Sequence, residues 1–168
     1  MSMAVLISIR PKWCALIANG KKTVEVRKSG PKLKTPFKCY IYCAKQGRPL
    51  VFGDIFTGNW EMEYTQTYNW SREDADRIWG VMNGKVIGEF ICDNIFKICL
   101  TDEGYDFDTP KMTGLKYEEM EAYLERKDGF GWHISDLVIY DKPKSLNEFR
   151  LNRPPQSWCY VEQEADNG

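Results

Sequence analysis

The chain has 168 residues, of which 43% are apolar, and this suits one domain with a core of ordinary size rather than a disordered polymer. No apolar run approaches the roughly 18 residues of a membrane-spanning helix, which sets a helical membrane protein aside. The net charge of −1 conceals an asymmetry: residues 1–53 hold eleven Lys or Arg and one acid, a net of +10, whereas residues 54–168 hold twelve cations and twenty-three acids, a net of −11. Two arrangements produce such a pattern. Either the first half meets an anionic partner, or the acidic half folds against the basic half and cancels its field.

In chain order, the first element is an apolar strand, "AVLISI", over residues 4–9. No basic segment precedes it and no small-residue cleavage site follows, so a soluble, cytoplasmic protein with no membrane partner is expected. "RPKWCALIANG" then predicts a short helix. Pro11 suits its first position and Asn19-Gly20 its end, and Trp13, Leu16 and Ile17 share a side that would face the core.

"KTVEVR" predicts a second strand, "KSGPKLKTP" a basic turn region, and "FKCYIYCA" a third strand in which Cys39, Ile41 and Cys43 alternate with Tyr40 and Tyr42. Residues 46–70 are rich in aromatics but have no clean period, which predicts an irregular insertion with room for a hairpin. Over "SREDADRIWGVMNG", the Ser71–Asp74 cap pattern and the spacing of Ile78, Val81 and Met82 predict a helix ended by Gly84.

"KVIGEFICDNIFKICL" predicts a long bent strand, with Gly88 at a close approach and Asp93-Asn94 at a bulge. A loop over "TDEGYDFDTPKMTGLK" leads to a helix over "YEEMEAYLERKDG". Two short strands, "GFGWHI" and "DLVIYD", follow. An irregular link then leads to a closing strand, "QSWCYVE".

The expected architecture is α+β and mainly β: a small, partly closed β-barrel decorated by three short helices. It forms a single domain over residues 1–161, with an irregular insertion near 46–80 and a disordered acidic tail at 162–168. The six cysteines form no C-x-x-C pair. Along a strand, Cys39 and Cys43 stand roughly 13 Å apart, too far to share a zinc ion. With one histidine in the chain, buried reduced thiols are expected, and neither a metal nor a cofactor.

The residues suited to chemistry centre on "GKKTVEVR", residues 20–27. On a strand Thr23, Glu25 and Arg27 share one face and Val24 and Val26 the other. Glu25 is the single acid among the eleven cations of the first 53 residues. Its face is either an ordinary wet surface with an ion pair of about 0–1 kcal/mol, or the floor of a cleft. Lys22 joins that face if the strand starts after it, as the Asn19-Gly20 turn allows.

This segment matches the G-x-K-x-x-E-x-R pattern of the ASCH domains, relatives of the PUA domain. "LISIRPKWCALIANG" resembles the first strand and helix of that family, and "GKVIGEFICD" its central strand. "GWHISDLVIYDKPKSLNEF" and "RPPQSWCYV" resemble the ending of phage and prophage-type members. The resemblance spans roughly residues 5–161. It implies a PUA-like barrel with a cleft, in a family associated with RNA binding and RNA-linked enzymology, and it carries the motif onto Lys22, Glu25 and Arg27. One branch of small proteins is a set of N4-acetylcytidine amidohydrolases using a Lys, a Thr and a Glu. Here Glu25 stands where that branch has its Thr, and Thr23 lies two residues earlier on the same face. Another branch is ribonucleolytic.

The residues themselves suit a nucleotide-sized anion. Lys22 and Arg27 are matched to phosphate, and Glu25 to an exocyclic amine. Trp13 and Trp132 are each either core or a base-stacking platform. His133 is either structural or an acid–base group facing the cleft. The main expectation is therefore an RNA- or nucleotide-binding module with a cationic cleft. The first alternative is a hydrolase of RNA or a modified nucleoside, with Lys22 and Glu25 as its catalytic pair. The second is a protein-interaction module built on the aromatic insertion at 52–70.

Overall fold

The computed structural model describes residues 2–45, 50–54, 59–64, 81–105 and 109–164. Strand β1 (Met3–Ile9) leads into helix α1 (Pro11–Ala18), then β2 (Val24–Arg27) and β3 (Phe37–Cys43). Strands β4 (Leu50–Asp54) and β5 (Asn59–Tyr64) pair as an antiparallel hairpin inside the predicted insertion. β6 (Val86–Ile98) is long, and β7 (Leu100–Thr101) and β8 (Gly104–Tyr105) form a small ribbon. Helices α2 (Thr109–Thr113) and α3 (Tyr117–Leu124) precede β9 (Gly129–Lys144), a 3-10 turn over Leu146–Phe149 and β10 (Trp158–Glu162). Most of the predicted helix at 71–84 lies outside the described residues.

Six strands form one sheet in the order β10-β1-β3-β6-β9-β2. β1 and β3 run parallel across the α1 and β2 connection, and the other pairings are antiparallel. The architecture is mainly β, as expected, and of the three helices among the described residues α1 and α3 are at expected positions. The barrel expectation needs correcting: β2 and β10 are the two edges of the sheet, and no ladder joins them. The edges approach each other all the same. Arg27, on β2, donates to Ser8 at the end of β1 and to Ser157 just before β10. The sheet is thus curled, with one side chain bridging the place where a barrel would close.

The bends that curl it sit where the sequence marks them. At Gly88 a Cβ would lie 2.4 Å from the Val138 carbonyl oxygen, so only glycine permits this approach of β6 to β9. The β6–β9 register shifts between Cys92 and Ile95, leaving Asp93 and Asn94 outside the ladder as a bulge. The two short strands predicted after residue 129 are one strand of 16 residues, kinked at Asp136, where φ is 48°.

Period-two alternation divides the core. Val5, Ile7, Ile9, Cys39, Ile41 and Cys43 pack inward with Phe90 and Trp132 and are covered by Cys14, Ala15 and Ile17 of α1. The intervening Ala4, Leu6, Tyr40 and Tyr42 pack on the other face with Val86, Phe149 and Val161. Both faces of the central strands are therefore dry, and each large apolar side chain buried there contributes about 1.5–3 kcal/mol. A third cluster joins Val26 and Ile98 to Met120 and Leu124 of α3.

All six cysteines are free, and Cys14, Cys39, Cys43 and Cys92 are buried. Burial pushes the thiol of Cys92 up to about 12, as it also raises Cys14 and Cys39. These sulfurs pack as small apolar groups. Residues 162–164 are held in the fold: Glu162 belongs to β10, the Gln163 amide donates to the Ser2 carbonyl, and the Glu164 amide donates to the Tyr40 hydroxyl.

Candidate functional site: a cleft at the open edge

The turn after α1 positions Lys22. Gly20 takes φ +74°, and the amides of Lys21 and Lys22 both donate to the Leu16 carbonyl, at 2.8 and 3.0 Å. The strand therefore starts at Val24, and Lys22 is free of its alternation, as its membership of the Glu25 face requires. Its ammonium donates to the Thr113 carbonyl at 2.6 Å, and the Thr23 amide donates to Met112 at 2.8 Å. Both acceptors are carbonyls at the C-terminal end of α2, which intrahelical bonds leave open.

Helix α2 was expected to be loop. Its signals are Pro110 near its start and Gly114, at φ +71°, just past its end. A Cβ at Gly114 would also meet Leu16 at 2.9 Å. The helix is a single short turn, so periodicity alone does not reveal it.

Glu25 pairs across the strands with Trp132, so its carboxylate faces the inner side of the sheet. Lys22, Glu25 and Arg27 are 2%, 7% and 8% exposed. The Glu25 carboxylate lies 3.9 Å from the Lys22 ammonium and 3.6 Å from Arg27 Nε. These are charge contacts, longer than hydrogen bonds. Arg27 spends its terminal nitrogens elsewhere: Nη2 donates to the Ser8 carbonyl at 2.7 Å, and Nη1 to Ser157 Oγ at 3.1 Å and to the Ser157 carbonyl at 3.4 Å. Among the described residues, Glu25 Oε2 and Arg27 Nε are left buried with no hydrogen-bond partner, as is the Tyr42 hydroxyl. Burial lowers the pKa of Lys22 below the ordinary lysine value of 10.5; Glu25 opposes that shift and Arg27 adds to it.

These three side chains line a cleft of about 930 Å³ between the two edges of the sheet. One wall is Ser8, Ile9 and Arg10 with the loop Pro154–Ser157; the other includes Lys28, Glu119 and Tyr123. Trp13 is partly buried and also lines it. The Lys22 and Lys12 ammoniums lie 5.4 and 4.7 Å from its ring centre.

The structure brings together Lys22, Glu25, Arg27 and Trp13 of the expected residues and separates the rest. Trp132 is fully buried, meets Phe37 edge-on and Trp158 at a tilt, and donates from Nε1 to the Ser29 carbonyl, so it is core and not a stacking platform. His133 lies outside the cleft, with its Nδ1 2.6 Å from Asp93 and its side chain 37% exposed. Thr23 serves through its backbone, which also accepts from the Ile134 amide. Sequence reading missed Tyr42, Ser8 and Ser157. The alternation of Tyr42 with core residues was visible, but its place at an edge of the cleft depends on how β1 and β3 meet the β9–β2 end.

The chain matches no protein-family model, and no curated protein is similar to it at a significant level. Among solved structures it is similar to the crystal structure of ASCH from Zymomonas mobilis, at 19% identity and a TM-score of 0.62, covering 95% of this chain and 88% of that one. Two point variants of that protein also match. One, a Tyr-to-Phe exchange, gives 19% identity and a TM-score of 0.60, with 95% and 91% covered. The other, a Ser-to-Ala exchange, gives 17% and 0.59, with 95% and 89% covered. The curled mainly-β sheet with helix α1 over its inner face shares the fold of these ASCH structures.

Proposed function

We propose that this chain binds RNA or a nucleotide in the cleft between β2 and the β1–β10 edge, and that residues 1–161 act as one domain in doing so. The observation that carries this reading is that three side chains lining the cleft each hold a polar atom with no hydrogen-bond partner among the described residues. Glu25 Oε2, Arg27 Nε and the Tyr42 hydroxyl all belong to side chains lining the same cleft. A buried polar group without a partner costs roughly 1–3 kcal/mol, so a ligand that supplies the partners recovers that cost on binding. Glu25 and Arg27, adjacent at 3.6 Å, offer an acceptor and a donor side by side, as a base edge requires.

The charge of the lining agrees. Arg10, Lys22, Arg27, Lys28 and Lys45 face two carboxylates, Glu25 and Glu119. Trp13 supplies an aromatic face in contact with that charge. Its role would be to stack an unpaired base, with the cations taking phosphate. The ASCH resemblance, with its family association with RNA, supports the same reading.

The test is fluorescence anisotropy on a 5′-fluorescein-labelled 12-nucleotide RNA of mixed sequence. Wild type should bind, with affinity falling steeply as salt rises. Trp13→Ala should weaken binding by about 5- to 150-fold, the equivalent of about 1–3 kcal/mol for one stacked base. No binding at about 100 µM protein in low salt would overturn the reading.

A second reading is supported by one feature. Lys22 is buried with a lowered pKa, next to a carboxylate with an unpartnered oxygen. In a hydrolase, Glu25 would activate water and Lys22 would stabilise the developing oxyanion. Under that reading Glu25→Gln abolishes cleavage of RNA or a modified nucleoside while binding survives. Retained cleavage in that variant would remove Glu25 from any catalytic role.

A further inference from the structure

The basic turn region between β2 and β3 has no part in the cleft's inner cluster. It carries Lys28, Lys32 and Lys34, and residues 28–37 contain no acid. All three lysines are exposed. Lys28 pairs with Glu125 at 3.6 Å, whereas among the described residues neither Lys32 nor Lys34 has an acidic partner.

The loop is nevertheless held in place. The Ser29 carbonyl accepts from Trp132 Nε1 at 3.3 Å, and the Lys32 amide donates to the Tyr160 hydroxyl at 2.8 Å. A pinned loop with unpaired charges is prepared to meet an extended anion without first being ordered.

The same loop walls two concavities. Lys28 and Ser29 line the cleft, and the next residues, Gly30 and Pro31, line a shallow groove of about 600 Å³. Leu33, Ile95 and Phe130 give that groove an apolar part, and Lys34 and Thr35 line it as well. Consecutive residues therefore separate the two, and a strand leaving the cleft over Ser29 meets the groove directly. Lys28 to Lys34 spans at most about 20 Å at full extension, enough for several phosphates. Unpaired bases settle on apolar and aromatic surfaces while lysines follow the backbone, whereas a duplex would present this groove with phosphates alone.

We propose that the β2–β3 loop and its groove form a second nucleotide subsite, so that the ligand is a single-stranded RNA several nucleotides long rather than a free nucleotide. This inference rests on the RNA reading of the cleft.

The test compares wild type with the double variant Lys32→Gln/Lys34→Gln, whose changes are confined to the exposed loop. The probes are the labelled 12-nucleotide RNA and a labelled RNA dinucleotide. For the longer RNA, affinity should fall about tenfold, and the slope of log affinity against log salt should become shallower by about 1.4, for two lost phosphate contacts. Dinucleotide binding should not change. If the double variant binds the 12-nucleotide RNA with wild-type affinity and slope while Trp13→Ala weakens it, the second subsite is absent and the cleft reading stands. If wild type binds neither probe, both proposals fail.

Discussion

Trp132 and His133 are neighbours on β9, and each leads to a polar cluster on its own side of the sheet. Beside Trp132 is Glu25, held between Lys22 and Arg27 with all three nearly removed from solvent. Beside His133 is Asp93, at 2.6 Å, with both side chains more than a third exposed. The second pair meets hydrogen-bond distance and is open to solvent. The first has charge contacts of 3.6 and 3.9 Å and two buried atoms with no partner. A close polar pair alone does not distinguish a site from a surface contact. What distinguishes them is desolvation combined with incomplete hydrogen bonding, since that combination is stabilised by a ligand and the exposed pair gains nothing from one.

The largest effect expected from breaking this contrast is at Arg27. Arg27→Ala removes the bridge from β2 to Ser8 and Ser157 and leaves a buried carboxylate with one cation. It should destabilise the fold by about 3–5 kcal/mol in urea denaturation. A loss below about 1 kcal/mol would mean the cluster behaves like a surface pair.

Next in size is a pH response at Lys22. Protonation supplies a cation to the ligand, so RNA affinity should fall as pH rises through the lowered Lys22 value, before the ordinary 10.5. Stability responds with the opposite sign. In that window the unfolded chain binds the proton that the folded chain has given up, so Lys22's contribution to stability increases with pH. Comparing wild type with Lys22→Met isolates both responses from those of other groups. Identical pH profiles in the two proteins would contradict the assignment.

The smallest effect belongs to the exposed cluster. His133→Ala should cost under about 1 kcal/mol and leave RNA affinity unchanged. A drop in affinity matching that of Trp13→Ala would put His133 back in the binding surface and erase the contrast.

Much of the fold follows from local chemistry. Alternation along β1 and β3, the Pro11 start and Gly20 end of α1, and the Gly88 and Asp93-Asn94 irregularities each state a conformation through the residues that adopt it. Helix α2 escaped notice because five residues contain too little periodicity, although Pro110 and Gly114 mark its ends. The single acid among eleven cations at Glu25 was visible as a compositional fact, and Lys22 and Arg27 were visible beside it.

The sequence by itself determined the local elements, the two-faced strands and the charged motif, because each depends on neighbours a few residues apart. Three matters were decided only by tertiary structure. Trp13 came to the cleft and Trp132 to the core, although both carried the same two readings, core or base-stacking platform. Tyr42 acquired a buried, unpartnered hydroxyl from its position at the cleft. The barrel stayed open, with Arg27 reaching across the gap to Ser8 and Ser157. These outcomes depend on which surfaces meet when β2 and β10 are brought near each other across most of the chain, and no local spacing encodes that meeting.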